Sequence, residues 1–336
     1  MKYYSAIDLH SNNSFVVVLD ENDKVVLEKR FPNNLDKITL ALSPFKDDLQ
    51  GVAVESTYNW YWLVDGLMAN GFNLKLVNTT AVKTYSGLKH SDDKHDAIWL
   101  AHLLRLGILP TGYIYPREAR AIRDLLRKRM QLVQQRTKNI LSIKSFYARY
   151  LGQQLATNEL YKEAQACLPE DPELKAIITP NMTLFNLLTA QIKEIEKSII
   201  KQHFKKSTDF LLLKSTPGIG DLIAMTVLLE IGNIDRFKSV GNFVSYCRCV
   251  SSQHISNNKK KGKGNVKNGN RYLAWAFHEA AHHAMIWSKP IKAFYQKKKR
   301  KTNGMIAMKA VSHKLARACY YMLKNESVFN IKLAFG

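Results

Sequence analysis

Hydrophobic and polar positions alternate in short runs through the first third of the chain. YYSAIDL, SFVVVLD and KVVLEKRF are rich in β-formers, and turn-formers part them at His10 to Asn13 and Glu21 to Asp23. That spacing predicts a three-stranded meander. A helical stretch follows around Asp36–Ser43. GVAVES then reads as a fourth strand, NWYWLVDGLMANG as a helix closed by Gly71, NLKLVN as a fifth strand, and DDKHDAIWLAHLLRLG as a helix closed by Gly107.

The period changes after Pro116. Leu126, Met130, Val133, Thr137, Ile140, Lys144, Tyr147 and Leu151 recur at alternating spacings of four and three, a heptad seam with polar breaks. Beyond a looser stretch holding Pro169, Pro172 and Pro180, the residues Leu188, Ile192, Ile195 and Ile199 form one stripe of a second helix. An antiparallel pair within one chain and a coiled coil between two chains both fit. Apolar helical segments then flank PGIG at 217–220, and Asn257–Asn270 is so rich in Lys, Gly and Asn that a loop is expected. The chain thus divides into an α/β domain (1–115), a helical coiled-coil spacer (116–206) and a mainly α C-terminal domain (207–336) with a segment like a helix-hairpin-helix.

The element order of the first domain, βββαβαβα, is the one used by ribonuclease-H-like and RuvC-like nucleases, and it predicts where catalytic carboxylates belong. Asp8 ends the first strand, Glu55 ends the fourth, and Asp93 and Asp96 lie three apart on the opening turn of the last helix, hence on one face. A carboxylate inside an apolar strand carries a desolvation cost of several kcal/mol or more, roughly, unless it is paired. Divalent cations remove that cost, and hard oxygen ligands select Mg²⁺ or Mn²⁺. Two such ions about 4 Å apart clamp the attacking and leaving oxygens of a phosphodiester. Asp92, the spare acid, suits a helix cap. Actin-like sugar kinases also use a strand-end aspartate, but no second glycine-rich phosphate loop supports that fold.

Charge sharpens this picture. The chain has formal net charge +22, yet residues 1–115 hold 11 Lys+Arg against 13 Asp+Glu, leaving 39 against 15 for the remainder. Such a basic remainder points to a polyanion, nucleic acid before membrane. No apolar run approaches the roughly 20 residues that span a bilayer, and the opening MKYYSAIDLH lacks the regions of a signal peptide. A cytoplasmic protein, associated with the nucleoid when acting, is expected. Cys167, Cys247, Cys249 and Cys319 show no paired C-x-x-C spacing, so they read as reduced and structural.

The candidate nucleic-acid contacts are Gly218 and Gly220, whose turn aims backbone N–H groups at a phosphate, and Lys259, Lys260, Lys261, Lys263, Lys267, Asn270 and Arg271 in and beside the basic loop. Residues 259–309 contain 14 Lys+Arg and one acid, Glu279. His278-Glu279-Ala280-Ala281-His282 spells the H-E-x-x-H zinc motif, but no Asp or Glu occurs between Glu279 and Glu326 to complete a site. A structural or DNA-facing helix is the better reading.

The order Asp8, Glu55-Ser56-Thr57, Asp93-Lys94-His95-Asp96-Ala97, Pro217-Gly218-Ile219-Gly220, then a serine followed by a basic Gly/Asn loop ending Lys267-Asn268-Gly269-Asn270 resembles bacterial insertion-sequence transposases with a RuvC-like DEDD domain. This is the insertion-sequence family numbered one hundred and ten, related to Piv-type DNA invertases. The resemblance implies that Asp8, Glu55, Asp93 and Asp96 bind Mg²⁺ and that a C-terminal serine attacks DNA. It also implies work as a homo-oligomer, dimer or tetramer, with a structured non-coding RNA that bridges donor and target DNA. The best match for the serine is Ser256, although Asn257 stands where glycine usually follows. Arg248-Cys249-Val250-Ser251 replaces the usual Gly-Leu-Val-Pro, which makes Ser251 and Ser252 rivals. Tyr58 stands where a glycine is expected after Glu55-Ser-Thr. Retention of phosphodiester energy in a phosphoseryl link distinguishes a recombinase from a RuvC-like endonuclease that uses water, such as a Holliday-junction resolvase. A non-catalytic nucleic-acid-binding protein needs no convergence of the four acids.

Overall fold

The structure is a computed structural model that describes residues 1–82, 92–162, 169–202, 207–252, 254–262 and 268–336. The chain forms two compact units, Met1–Arg117 and Glu118–Gly336.

In the first unit, strands β1 (Tyr3–Leu9), β2 (Asn13–Asp20) and β3 (Val25–Pro32) form the antiparallel meander. Helix α1 (Leu35–Leu42) leads to β4 (Leu49–Glu55), α2 (Tyr61–Ala69), β5 (Leu74–Val77) and α3 (Asp93–Arg105). The five-stranded sheet has the order β3-β2-β1-β4-β5, with β4 parallel to both β1 and β5. Alternation along the strands decides which side chains share a face. Ile7, Leu9, Val16, Val18, Val52 and Val54 pack with Ile38 and Leu42 of α1 and Leu63, Val64 and Leu67 of α2. Ala6, Val17, Leu19, Ala53 and Val77 take the opposite face against Ala97, Leu100 and Ala101 of α3. The small residues on both sides let α3 lie close to the sheet.

The second unit begins with α4 (Arg117–Phe146), which runs into a π-helical turn at Tyr147–Leu151, then α5 (Thr157–Lys162) and α6 (Pro172–Gln202). Helices α4 and α6 pack antiparallel within the chain: Ile140, Ile143 and Phe146 meet Ile178, Met182 and Phe185, and Arg129 pairs with Glu196 at 2.6 Å. Two details differ from the expected pattern. The seam follows Ile140, Ile143 and Tyr147 rather than Lys144, because a straight helix of about 3.6 residues per turn drifts against a strict heptad spacing. Helix α6 starts at Pro172, whose missing N–H suits a first turn, and continues through Pro180, where packing of Ile178 and Met182 offsets a local cost of about 3 kcal/mol.

Helices α7 (Thr208–Lys214), α8 (Asp221–Ile231) and α9 (Val240–Tyr246) follow, then strands β6 (His254–Ser256) and β7 (Lys259–Gly262), and helices α10 (Arg271–Trp287), α11 (Lys289–Lys301), α12 (Gly304–Lys324) and α13 (Ile331–Phe335). Their core gathers Ile223, Val227, Phe243, Phe277, Ala281, Val311 and Leu315. Buried Glu230 of α8 accepts from Arg123 and Arg127 of α4 and from Asn270, which ties three segments together. Burial favours its neutral form, but the two arginines and Asn270 outweigh that and hold the carboxyl below its usual range. Cys247, Cys249 and Cys319 are buried and unbridged, and burial pushes the Cys249 and Cys319 thiols up to about 12. Cys167 lies outside the described residues. Among those described, no helix is long and apolar enough to cross a membrane.

Candidate active site

The register of the sheet assembles the acids. Ile7 pairs with Val54 across parallel strands β1 and β4, so the next residues, Asp8 and Glu55, stand side by side at the strand ends. Both share the face of Ala6 and Ala53, the face that α3 covers. The first turn of α3 brings Asp93 and Asp96 to the same place, and Asp92 caps it by accepting from His95 N. Asp8 is 3% exposed. Burial, a hydrogen bond with Asp8 and repulsion from Asp8 and Asp96 push the Glu55 carboxyl up to about 8. Asp93 is held below the usual carboxylate range by the Arg30 guanidinium, 2.7 Å away, with His10 adding to the effect. Asp8, His10 and Asp93 bring one donor atom each within 4.8 Å of the others, while Asp8 and Asp96 crowd a proton onto Glu55; acids gathered this way suit a hard divalent cation. The residues present therefore fit the metal that such an arrangement implies.

Sequence reasoning missed three side chains here. His10 Nε2 lies 3.1 Å from Asp8 Oδ2 and 3.1 Å from Asp93 Oδ1 without an aligned hydrogen bond to either. Arg30 of β3 reaches Asp93, and Lys94 pairs with Glu28 at 2.8 Å. The signal for His10 was its position two residues after Asp8, on the same side of an extended segment.

In the second unit, Ser256 is exposed and ends β6. Asn257 and Asn258 both have positive φ, 50° and 55°, and form the two-residue turn into β7. The expected loop over Asn257–Asn270 is therefore a β-hairpin in its first part, since Asn tolerates this turn and lysine can face water from either side of an exposed ribbon. The register sets Lys259 directly opposite Ser256, and Lys261 falls on the same face as Lys259. Lys259 and Lys261 are exposed; Lys260 pairs with Ile255 through the backbone. Lys263 and Lys267 lie outside the described residues. Ser251 is exposed and Ser252 half-buried in the segment between α9 and the hairpin.

Asn270 is turned inward: it caps α10 through Tyr272 N and Leu273 N and donates to Glu230 at 2.7 Å. Arg271 stays exposed, lies over the Tyr272 ring and lines a cleft of about 690 Å³ with Lys128 and Lys138. Gly218, at φ 87°, is where the turn after α7 presses on α10: a Cβ there would lie 2.2 Å from Ala280 O. Gly220 precedes α8 and faces open space in a cleft of about 770 Å³ that Trp275 and Trp287 also line. Glu279 and His283 face that cleft, whereas His278 and His282 meet each other at 3.2 Å on another face, so the H-E-x-x-H letters do not converge.

Carboxylates gathered on an α/β sheet, followed by a mostly helical unit, define the class of DEDD transposases. Residues 6–151 match the DEDD transposase family of the IS110 type, described as Transposase, and residues 211–296 match the family described as Transposase IS116/IS110/IS902. The chain belongs to this IS110-type transposase family. It is 26% identical over 223 residues to the transposase for insertion sequence element IS1111A of Coxiella burnetii, covering 64% of this chain and 59% of that one. It is 20% identical over 174 residues to the insertion element IS116 uncharacterized 44.8 kDa protein of Streptomyces clavuligerus, covering 51% and 43%. The chain spans about half the length of these relatives.

Proposed function

We propose that the chain is a DNA transposase that cuts and rejoins strands through a serine–DNA link, with Asp8, Glu55, Asp93 and Asp96 as its metal-binding carboxylates, a RuvC-like first domain and Ser256 as nucleophile. The observation that carries this reading is the side-by-side placement of Asp8 and Glu55 under the acidic first turn of α3. These four residues would hold Mg²⁺ or Mn²⁺, which when bound supplies Lewis-acid polarisation of the scissile phosphodiester and lowers the pKa of a nearby hydroxyl.

Ser256 Oγ attacks phosphorus, and its proton passes to the departing 3′-oxygen. A 5′-phosphoseryl bond forms as the P–O3′ bond breaks. A new 3′-hydroxyl then attacks the same phosphorus, and the serine recovers its proton, so each step exchanges one phosphoester for another. Lys259, opposite Ser256 in the hairpin, positions the phosphate, and Lys261 and Arg271 extend the cationic path. Lys260, Lys263 and Lys267 belong to the same basic segment. Donor and target DNA and a structured non-coding RNA are its partners in this reading, in a homo-oligomer.

The test uses a plasmid carrying the DNA that flanks this coding sequence, together with RNA that co-purifies with the protein. Wild type forms a denaturant-resistant protein–DNA adduct that maps to Ser256. Ser256→Ala binds DNA without the adduct, and Asp8→Asn neither cuts nor forms it. Cleavage with free 5′-phosphate ends and no adduct would replace this reading with a water-using nuclease. An adduct at Ser251 or Ser252 would move the nucleophile.

A further inference from the structure

His10 is fixed more firmly than a residue just past a strand end needs to be. Its N–H donates to Asn13 O at 2.9 Å, and its carbonyl accepts from Asn33 Nδ2 and Asn59 Nδ2, each at 3.0 Å. Those asparagines are themselves held, Asn33 by Ser14 Oγ at 2.7 Å and Asn59 by Thr57 Oγ1 at 2.9 Å. The clamp aims His10 Nε2 into the gap between Asp8 and Asp93. There the nitrogen is buried and lacks an aligned hydrogen bond, although the imidazole as a whole is 41% exposed. One donor atom each from Asp8, His10 and Asp93 lies within 4.8 Å of the others. The outer oxygen of Asp93 is occupied by Arg30, which in turn donates to Asn13 Oδ1 at 2.8 Å. A nitrogen held between two carboxylate oxygens at 3.1 Å, with an outer partner orienting one of the carboxylates, is a layout that suits a metal site with its supporting shell.

We infer that His10 is a direct ligand, through Nε2, of the cation held by Asp8 and Asp93, and that this mixed nitrogen–oxygen set makes the site prefer Mn²⁺ to Mg²⁺. Imidazole nitrogen is a borderline donor that Mg²⁺ accepts poorly, whereas first-row transition ions take nitrogen and carboxylate together. Arg30 stays on Asp93 Oδ2 while the cation takes Oδ1, so binding needs no rearrangement of the ion pair. This inference rests on the proposed carboxylate metal site and adds a fifth residue to it.

Binding to the full chain without nucleic acid tests it, with MnCl2 and MgCl2 as probes in calorimetry, and electron spin echo spectroscopy on bound Mn²⁺. Wild type should bind Mn²⁺ more tightly than Mg²⁺ and show modulation from a directly bound nitrogen. His10→Ala should weaken Mn²⁺ by about tenfold or more, remove the nitrogen signal and narrow the preference over Mg²⁺. If His10 serves instead as a counter-charge to the two aspartates, His10→Ala will tighten both cations, and the inference falls. Bound Mn²⁺ that is lost in Asp8→Asn but shows no nitrogen modulation in wild type also overturns it, and leaves the proposed function standing. The spectroscopic arm needs no His10 variant to fold. Failure of wild type to bind either cation removes both.

Discussion

At the scale of single residues, Glu55 carries the tension of the site. The unfolded chain releases the Glu55 proton near 4.5 and the folded chain near 8. Between those values the folded state binds more protons than the unfolded, so stability contributed by this group falls as pH rises across the window and is constant outside it. Half-exposed carboxyls are screened, which reduces the effect to about 1–2 kcal/mol. Glu55→Gln in metal-free protein should therefore raise the melting temperature at pH 8 by a few degrees, roughly, and give no such gain at pH 4. Adding Mn²⁺ should reverse the ranking at pH 8, because the ion stabilises the state that binds it and wild type binds it better. Thermal scans at the two pH values decide: an equal gain at both would mean that shape rather than charge accounts for the variant.

At the scale of elements, two glycines of one turn have opposite duties. Gly218 has φ 87° and no room for a Cβ against the α10 backbone, whereas Gly220 has room to spare. Gly218→Ala should lower stability by about 2–4 kcal/mol through strain and overpacking. Gly220→Ala should change it by under about 1 kcal/mol, the range of a poorer cap. If a phosphate sits against the open Cα face of Gly220, the Cβ of Gly220→Ala would stand between it and the N–H groups at the start of α8 and should weaken DNA binding by about tenfold. Denaturant curves and fluorescence anisotropy separate the two effects, and unchanged DNA affinity in Gly220→Ala would take this turn out of the interface.

Elements with strong periodicity were legible from the chain alone. The meander, both parallel strands and α3 lie where alternation and caps put them. Asp8, Glu55, Asp93 and Asp96 come with them, because an acid at the end of an apolar strand is costly to bury unless something binds it. The β6–β7 ribbon was hidden, since KKKG carries no alternation and Asn257-Asn258 reads equally as loop. The length of α6 was hidden by Pro180, which tertiary packing tolerates. His10 was hidden for a different reason: its place two residues after Asp8 is a faint signal until the asparagines that clamp it, drawn from 13, 33 and 59, are brought together by the fold.

At the scale of the whole molecule, the proposed nucleophile and the proposed carboxylates belong to different units. Helices α4 and α6 spend their shared seam on each other, yet Leu141, Ile177, Leu184 and Leu187 on these helices remain exposed, an apolar surface on which a second chain can settle. In the proposed homo-oligomer the acids of one chain would serve the serine of another. The expected arrangement is this shared one, and mixing defective chains reveals it. Asp8→Asn chains and Ser256→Ala chains are each inactive alone. In a heterodimer with shared sites, one site carries both defects and the other is intact, so part of the strand cleavage returns on mixing. With sites built from a single chain every site carries one defect, and nothing returns. Heterodimers must first be demonstrated, by capturing one tagged variant with the other. Leu184→Glu with Leu187→Glu, introduced into both chains, should abolish capture and recovery together. Captured heterodimers whose activity stays at the level of either variant alone would mean that each chain completes its own site.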